Sequence, residues 1–119
     1  MRIIAAGLHR TLDFVTVVGF ALAPSVLGLR GFPAALAYLL AAVHLGLTLL
    51  TTFPGTAARP VSLVLHGAIE GAVGVALVLL PWLVGWVGIA RIFYVVAGVV
   101  ILGVWALSAY RVERPSAAA

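Results

Sequence analysis

Four apolar runs, each about as long as a bilayer is thick, dominate this 119-residue sequence. A helix rises about 1.5 Å per residue, so crossing a hydrocarbon core of about 30 Å takes about 20 mostly apolar residues. Glycines and prolines typical of turns separate the runs, and the length suits a single domain. The sequence therefore predicts an all-α fold with four transmembrane helices, at about residues 11–29, 33–53, 61–83 and 88–110.

Composition supports lipid as the solvent. Hydrophobic residues make up 65% of the chain and charged residues 8%, against about 45–50% and about 25% in an ordinary soluble domain. The absence of cysteine excludes disulfides and thiolate metal ligands. The arginines are scattered singly, so no basic patch for nucleic acid forms. The predicted partner is the lipid bilayer, and nucleic acid is not a predicted partner.

The first apolar run has some features of a cleaved secretory signal, because Arg2 precedes it and residues 21–23 are small or apolar. Two features argue against cleavage. Asp13 interrupts the run, and Pro24 directly follows the small-residue site. We therefore expect the segment to be retained as a helix.

Short connections force consecutive helices to be antiparallel, which predicts an up-down-up-down bundle. The distribution of arginine predicts the orientation, because cytoplasmic loops are enriched in positive charge. We predict a multi-pass protein of the plasma (inner) membrane of a bacterium, with both termini cytoplasmic. The cytoplasmic arginines would be Arg2, Arg10, Arg59, Arg111 and Arg114, and those on the other side Arg30 and Arg91.

An internal repeat runs through the chain. A shift of 57 residues aligns residues 9–51 with 66–108 without a gap. Each copy contains two predicted spans, so both copies would enter the membrane in the same direction, about a pseudo-two-fold axis along the membrane normal. The bundle is thus predicted to consist of two parallel tandem helical hairpins. The matched pairs include His9 with His66, Asp13 with Glu70, Pro24 with Pro81, Gly28 with Gly85, Gly31 with Gly88, and Gly46 with Gly103.

The segment from His66 to Trp86 opens with a histidine and an acid and ends in Leu-Pro-Trp and Gly-Trp. The first copy has Asp13, then Ala-Pro-Ser, then Gly28 in the same order. This pattern resembles the SPW-repeat family of integral membrane proteins over nearly the whole chain, although neither copy contains the full Ser-Pro-Trp. The family has no settled biochemical activity, so the resemblance implies a fold and no reaction. The repeat-motif residues are Pro24, Gly28, Pro81, Trp82 and Gly85.

Two couples of ionisable residues, His9 with Asp13 and His66 with Glu70, have i,i+4 spacing. This spacing places both side chains on one helix face, and ionisable groups within a bilayer are candidates for function. Three interpretations are open: a structural polar network in which the acids also pair with Arg10 or Arg59, a proton or ion pathway, and a metal site. The apparent lack of a further histidine nearby favours the structural network.

His44 is the deepest ionisable residue, about midway along the second helix, and it shares a face with Thr48 and with Thr51 or Thr52. The aligned residue in the second copy is Ile101. We expect His44 to be a neutral, hydrogen-bonded buried histidine, with a functional role as the alternative.

Small residues predict where helices approach closely. Such a stripe on the third helix makes that helix the candidate bundle centre or dimer seam. The predicted packing residues are Gly67, Gly71 and Gly74 on the third helix, and Ala42 and Gly46 on the second.

Aromatic residues near the predicted span ends are typical of membrane interfaces. We expect an interfacial belt, with the Arg91 side chain extending to the outer interface. The belt residues are Phe32, Trp82, Trp86 and Tyr110.

No nucleophile–base arrangement or phosphate-binding glycine loop is present in the sequence, which predicts a protein that is not an enzyme and needs no cofactor. The leading hypothesis is a membrane scaffold or accessory subunit that acts through helix packing, as a homo-oligomer or in a larger membrane complex. The alternative is a small proton-conducting, ion-conducting or metal-binding membrane protein that uses the histidine and carboxylate couples and His44.

Overall fold

The computed structural model describes residues 3–108 and Tyr110. It contains four α-helices that are each long and apolar enough to cross a membrane. Within that described part, the only β-pairing consists of isolated bridges. These features confirm the all-helical fold expected for a small multi-pass membrane protein. The helices are α1 (Ala6–Leu27), α2 (Gly31–Leu50), α3 (Leu63–Val84) and α4 (Gly88–Leu107).

Three helix boundaries at one end of the bundle differ from the prediction by three residues or more. The first helix begins at Ala6 and not near residue 11, the second ends at Leu50 and not near residue 53, and the fourth ends at Leu107 and not near residue 110. The chain is paired there, because the Ile4 N–H donates to the Leu107 carbonyl at 2.9 Å and the Val61 N–H donates to the Leu50 carbonyl at 3.0 Å. Arg2, Arg111 and Arg114, which contribute to the predicted orientation, lie outside the described residues.

The helices pack chiefly as two hairpins, α1 against α2 and α3 against α4. Backbone hydrogen bonds join the hairpins at one end, from Ile4 N to Leu107 O and from Val61 N to Leu50 O, at 2.9 and 3.0 Å. We call this the polar end. It is where α1 and α3 begin and where α2 and α4 finish, so side chains from all four helices meet there.

Glycine turns close the opposite end, which we call the glycine end. Gly28 and Gly85 follow α1 and α3 with φ of 68° and 76°, a left-handed conformation that favours glycine. Their N–H groups donate to the carbonyls of Pro24 and Pro81, which both lie in the final turn of their helices. Each turn thus reverses the chain within a few residues.

The outer surface of the bundle is apolar, as a lipid-facing surface must be. Val26 and Leu83, for example, are 75% and 78% exposed. The most deeply buried side chains, by contrast, include several ionisable and hydroxyl groups at the polar end. Towards the glycine end the interior is apolar, and its core consists of Phe20, Ala37, Ala41, Leu77, Tyr94 and Ile101.

The glycine stripe of α3 packs within its own hairpin. A Cβ on Gly67 would come within 2.8 Å of the Tyr110 ring, one on Gly71 within 2.9 Å of Trp105, and one on Gly74 within 2.8 Å of Leu102. The stripe therefore lets α3 approach α4. It is already covered and does not form an open seam for a second copy.

The predicted notch on α2 is wrong as a packing site within the chain. Ala42 is exposed, and a Cβ on Gly46 would meet no atom within 4 Å. The buried small residues of α2 are Ala37 and Ala41. The helix is therefore rotated so that the face with these two alanines, His44 and Thr48 points inwards.

Candidate functional site: a buried histidine and carboxylate cluster

The two histidine–acid couples meet at the polar end. His9 Nε2 lies 3.2 Å from Asp13 Oδ1 on its own helix and 2.8 Å from Glu70 Oε2 on α3. His66 Nε2 lies 3.2 Å from Asp13 Oδ2 on α1 and 3.6 Å from Glu70 Oε2. Each carboxylate thus contacts both imidazoles, and the cluster links α1 to α3.

The cluster is removed from solvent and from lipid. His9, Asp13, His66 and Glu70 are between 0% and 4% exposed. Two aromatic rings cover it at the polar end, with Phe53 edge-on to His66 at a centroid separation of 5.6 Å and Tyr110 edge-on to His9 at 5.1 Å. Because charges are costly to bury, such a cluster must be internally neutralised or neutralised by a bound cation.

The outward-facing nitrogen of each histidine is held by a hydroxyl group. His9 Nδ1 lies 2.6 Å from Ser108 Oγ, and His66 Nδ1 lies 2.8 Å from Thr51 Oγ1. Each hydroxyl donates its hydrogen to a helix carbonyl, Ser108 to Val104 O and Thr51 to Leu47 O, both at 2.5 Å. A hydroxyl has one hydrogen to donate, so the imidazole Nδ1–H must be the donor to each hydroxyl.

This assignment determines the role of the inner nitrogens. With Nδ1 protonated, Nε2 of a neutral imidazole has a free lone pair directed into the cluster. Nε2 of His9, Nε2 of His66 and Oδ2 of Asp13 are buried and make no hydrogen bond of good geometry. They contact one another or Glu70 Oε2 at 2.8 to 3.6 Å.

Each carboxylate also has a supporting donor. The His44 Nε2–H donates to Asp13 Oδ1 at 3.2 Å, and the Tyr110 hydroxyl donates to Glu70 Oε2 at 2.9 Å. Burial and the neighbouring Glu70 carboxylate raise the pKa of Tyr110, so its hydroxyl stays protonated and remains a donor. Every member of the cluster is therefore oriented by one outer hydrogen-bonding partner.

The spacing of the inner atoms suits a tetrahedral metal ion. Nitrogen and oxygen ligands lie about 2.0–2.1 Å from zinc, so neighbouring donors in a tetrahedron are about 3.3 Å apart. The four histidine–carboxylate separations span 2.8 to 3.6 Å. One ligand atom from each of the four residues lies within 4.8 Å of the other three. To bind one ion, the most widely separated of these atoms must approach one another by up to about 1.5 Å.

Several sequence-based expectations about this site need correction. The carboxylates do not pair with arginine: the ion pairs among the described residues all join histidine to a carboxylate. Arg59 Nη1 donates instead to the Leu49 carbonyl, and the Arg10 guanidinium lies over the rings of Phe14 and Phe53. Arg10 therefore contacts aromatic faces and Arg59 contacts a backbone carbonyl, and Arg10 Nε is buried without a hydrogen bond.

His44 also differs from the expectation. A third histidine does reach the couples, because the inward rotation of α2 brings His44 to Asp13. The expectation that His44 is buried and hydrogen-bonded agrees with the structure.

Tyr110 was assigned to an interfacial belt, yet it covers the cluster. Trp82 is 57% exposed and the Arg91 guanidinium lies 5.1 Å from its ring; their place at a membrane interface stays a prediction. The roles of Thr51, Ser108 and Phe53 were missed. One signal was available for the first two, because the aligned repeat ends on a matched hydroxyl pair, Thr51 and Ser108.

Comparisons of this chain with protein-family models, with curated proteins and with solved structures found no match. The resemblance to the SPW-repeat family therefore stays a prediction, and the argument for function rests on the geometry of the cluster.

Proposed function

We propose that this small multi-pass membrane protein binds one divalent transition-metal ion between α1 and α3. The ligands are His9, Asp13, His66 and Glu70. The observation that carries the proposal is the convergence of two imidazoles and two carboxylates, each with one ligand atom within 4.8 Å of the other three. Imidazole together with carboxylate suits zinc, iron or manganese, whereas copper(I) prefers sulfur ligands.

Charge supports the same proposal. Two carboxylates buried at the polar end need two compensating positive charges, because an uncompensated charge in an apolar interior is costly. One divalent cation with two neutral imidazoles gives a neutral site. The outer partners support it further, since ligating histidines usually donate their second N–H to a fixed acceptor. Here Ser108 and Thr51 supply those acceptors.

The bound ion would cross-link the two hairpins. α1 packs chiefly on α2 and α3 on α4, and the cluster joins the two pairs through side chains of α1 and α3. The proposed role is that of a non-enzymatic metal-binding membrane protein. A scaffold role, a homo-oligomer, a larger complex and ion conduction stay predictions. The glycine stripe of α3 supports the scaffold hypothesis less in the structure than in the sequence, because α4 covers the stripe.

We also propose that the hairpins are two copies of one unit, arranged in parallel. Contacts that correspond under the 57-residue shift support this. The pair Ile4 N–Leu107 O corresponds to Val61 N–Leu50 O. The location of both termini in the cytoplasm of a bacterium stays a prediction, which accessibility labelling at Arg30 and Arg59 would test.

Elemental analysis of the protein purified in mild detergent tests metal binding directly. We expect about one zinc, iron or manganese ion per chain, or stoichiometric uptake of Co²⁺ by protein first treated with a chelator. Co²⁺ bound by two nitrogen and two oxygen ligands in a tetrahedron absorbs visible light much more strongly than octahedral aqueous Co²⁺. His9→Ala and His66→Ala should each abolish stoichiometric binding, because each removes one of four ligands.

Tyr94→Phe is a matched control. Tyr94 is fully buried and donates to the Pro33 carbonyl, far from the cluster at the glycine end. The variant therefore loses a buried hydroxyl without losing a ligand, and it should bind Co²⁺ as the wild type does. Wild-type protein that takes up neither Co²⁺ nor Zn²⁺ while folded by circular dichroism would overturn the proposal.

A further inference from the structure

A crevice adjoins the cluster on the flank between α2 and α3. Its volume is about 30 Å³, and Glu70 and His44 are among its lining residues. The rest of the lining is apolar. It consists of Phe20, Leu40, Val43, Leu47, Ile69, Val73 and Ile101.

Two other sides of the cluster differ from this flank. The rings of Phe53 and Tyr110 cover the polar end. On the opposite flank a larger groove of about 230 Å³ lies between α1 and α4, but it ends on Phe20 and Ile101 and reaches no ionisable side chain. Position 101 corresponds to position 44 in the repeat. The second copy has isoleucine where the first has histidine, and this difference distinguishes the two flanks.

His44 lines the crevice and contacts the cluster. Its side chain is 10% exposed, against 0% to 3% for His9, Asp13, His66 and Glu70. Its Nε2 is 3.2 Å from Oδ1 of Asp13, which is a ligand residue in the proposed site. A crevice of this volume holds about one water molecule. A fully hydrated ion is too large for it, so an ion must exchange water for protein ligands as it passes.

We propose that His44 is the entry ligand of the metal site, through which a divalent transition-metal ion passes between the α2–α3 crevice and the cluster. The inference rests on the proposed metal-binding function. The imidazole releases Asp13 and moves its proton from Nε2 to Nδ1 by exchange with water in the crevice. The unprotonated Nε2 then coordinates the incoming ion and passes it to the Asp13 carboxylate beside it. Release follows the same steps in reverse. The final site has four ligands, so His44 affects the rate of exchange more than the equilibrium affinity.

The experiment measures uptake and release of Zn²⁺ by the purified full-length protein, with a coloured chelator as the acceptor for release. His44→Gln is the informative variant, because its amide can still donate to Asp13 but is a poor ligand for zinc. We expect uptake and release both to slow by about tenfold or more while Kd stays within about threefold of the wild type.

This pattern separates an entry ligand from a structural support. Loss of a support would weaken binding and make release faster, whereas loss of an entry ligand slows both directions at unchanged Kd. His44→Gln with wild-type rates, or with faster release, would overturn the inference and leave the metal site intact. Wild-type protein that binds no Zn²⁺ would overturn both proposals.

A pair of variants tests whether the ion passes through the α2–α3 crevice, without changing the cluster. Val73 lines the α2–α3 crevice, and Thr16, at the corresponding position of the repeat, lines the α1–α4 groove. Val73→Phe should narrow the crevice and slow exchange in both directions. Thr16→Phe places the same ring on the other flank and should leave exchange unchanged. Equal rates in the two variants would contradict the route.

Discussion

The two hairpins are alike where they hold the histidines. Thr51 at the end of α2 holds His66 of the second hairpin, and Ser108 at the end of α4 holds His9 of the first. Each hydroxyl is fixed in turn by the carbonyl four residues before it. Each hairpin therefore orients the histidine of the other, and neither hairpin alone could complete the cluster.

The hairpins differ in how their helices approach. The second hairpin has Gly71 on α3 against Trp105 on α4. The corresponding positions of the first hairpin hold Phe14 and Thr48. The large side chain thus lies on the outgoing helix α1 in one hairpin and on the returning helix α4 in the other. The comparison teaches that packing can vary between the hairpins while the polar contacts stay matched.

The donors to the carboxylates also differ. Asp13 accepts from His44, and Glu70 accepts from Tyr110. The residues aligned with these donors are Ile101 and Phe53, and neither can donate from its side chain. Each carboxylate accepts from one outer donor, but the two donors occupy positions that do not correspond under the 57-residue shift.

Removing one carboxylate charge should have the largest effect. Asp13 oxygens lie 3.2 Å from three histidine nitrogens, whereas Glu70 Oε2 contacts two. Breaking a buried ion pair from one side costs about 3–5 kcal/mol. We expect Asp13→Asn to lower the free energy of unfolding by that amount and Glu70→Gln to lower it less. Unfolding in mixed detergent with increasing SDS, followed by tryptophan fluorescence, measures both; equal losses would contradict the asymmetry.

The hydroxyl supports should be equivalent. Thr51→Val and Ser108→Ala each remove the acceptor for one imidazole N–H, and loss of such an outer partner typically weakens metal affinity by about 10–100-fold. The two losses should agree within about threefold, as measured by competition for Zn²⁺ with a chelator. Thr16→Val is the control, because its hydroxyl bonds only the Leu12 carbonyl of its own helix. A large loss of affinity in only one of the two variants would contradict the predicted equivalence.

Adding a methyl group where two helices are in close contact should disturb the packing of the second hairpin only. A Cβ on Gly98 would lie 2.7 Å from Val78 Cγ2 and 2.8 Å from the Gly74 carbonyl oxygen, so backbone would have to move. Gly98→Ala should therefore cost about 1–3 kcal/mol of stability through overpacking. The corresponding residue of the first hairpin is already Ala41, and Ala41→Gly should cost about 1 kcal/mol. Titration with SDS measures the stability of both variants. A stabilising effect of Gly98→Ala would show that α3 and α4 are not close-packed at this position.

The smallest effect is expected at the aromatic cover. Tyr110→Phe gives the second hairpin the ring that the first has at Phe53 and removes the hydrogen bond to Glu70. Loss of that bond should cost about 1 kcal/mol. Phe53→Tyr should bring no matching gain, because His44 already donates to Asp13. Equal and opposite effects of the two variants would show that the covers are interchangeable.

Much of the fold could be predicted, because hydropathy and turn chemistry act locally. The length of the apolar runs predicted four spans, and glycines at positions 28 and 85 marked two turns that the structure places there. Boundaries at the polar end were less accurate. They depend on Ile4 pairing with the end of α4, a contact between residues that are distant in sequence.

The site was predictable in part for the same reason. The i,i+4 spacing of His9 with Asp13 and of His66 with Glu70 follows from helix geometry alone. The contributions of His44, Tyr110, Thr51 and Ser108 depend on how each helix is rotated about its axis. In an almost wholly apolar chain, hydropathy says little about that rotation, which explains why Ala42 was chosen where Ala41 faces inwards.

The sequence by itself determined that the chain folds as apolar helices and that its few ionisable groups occur in repeated couples. Only the tertiary structure decided that the couples share one buried cluster, that each hairpin orients the other's histidine, and that His44 lines a crevice on one flank. The physical reason is the distance along the sequence over which each interaction acts. Hydrogen bonding within a helix and transfer to lipid are determined by neighbouring residues, whereas a coordination site needs side chains from four helices held within a few ångströms.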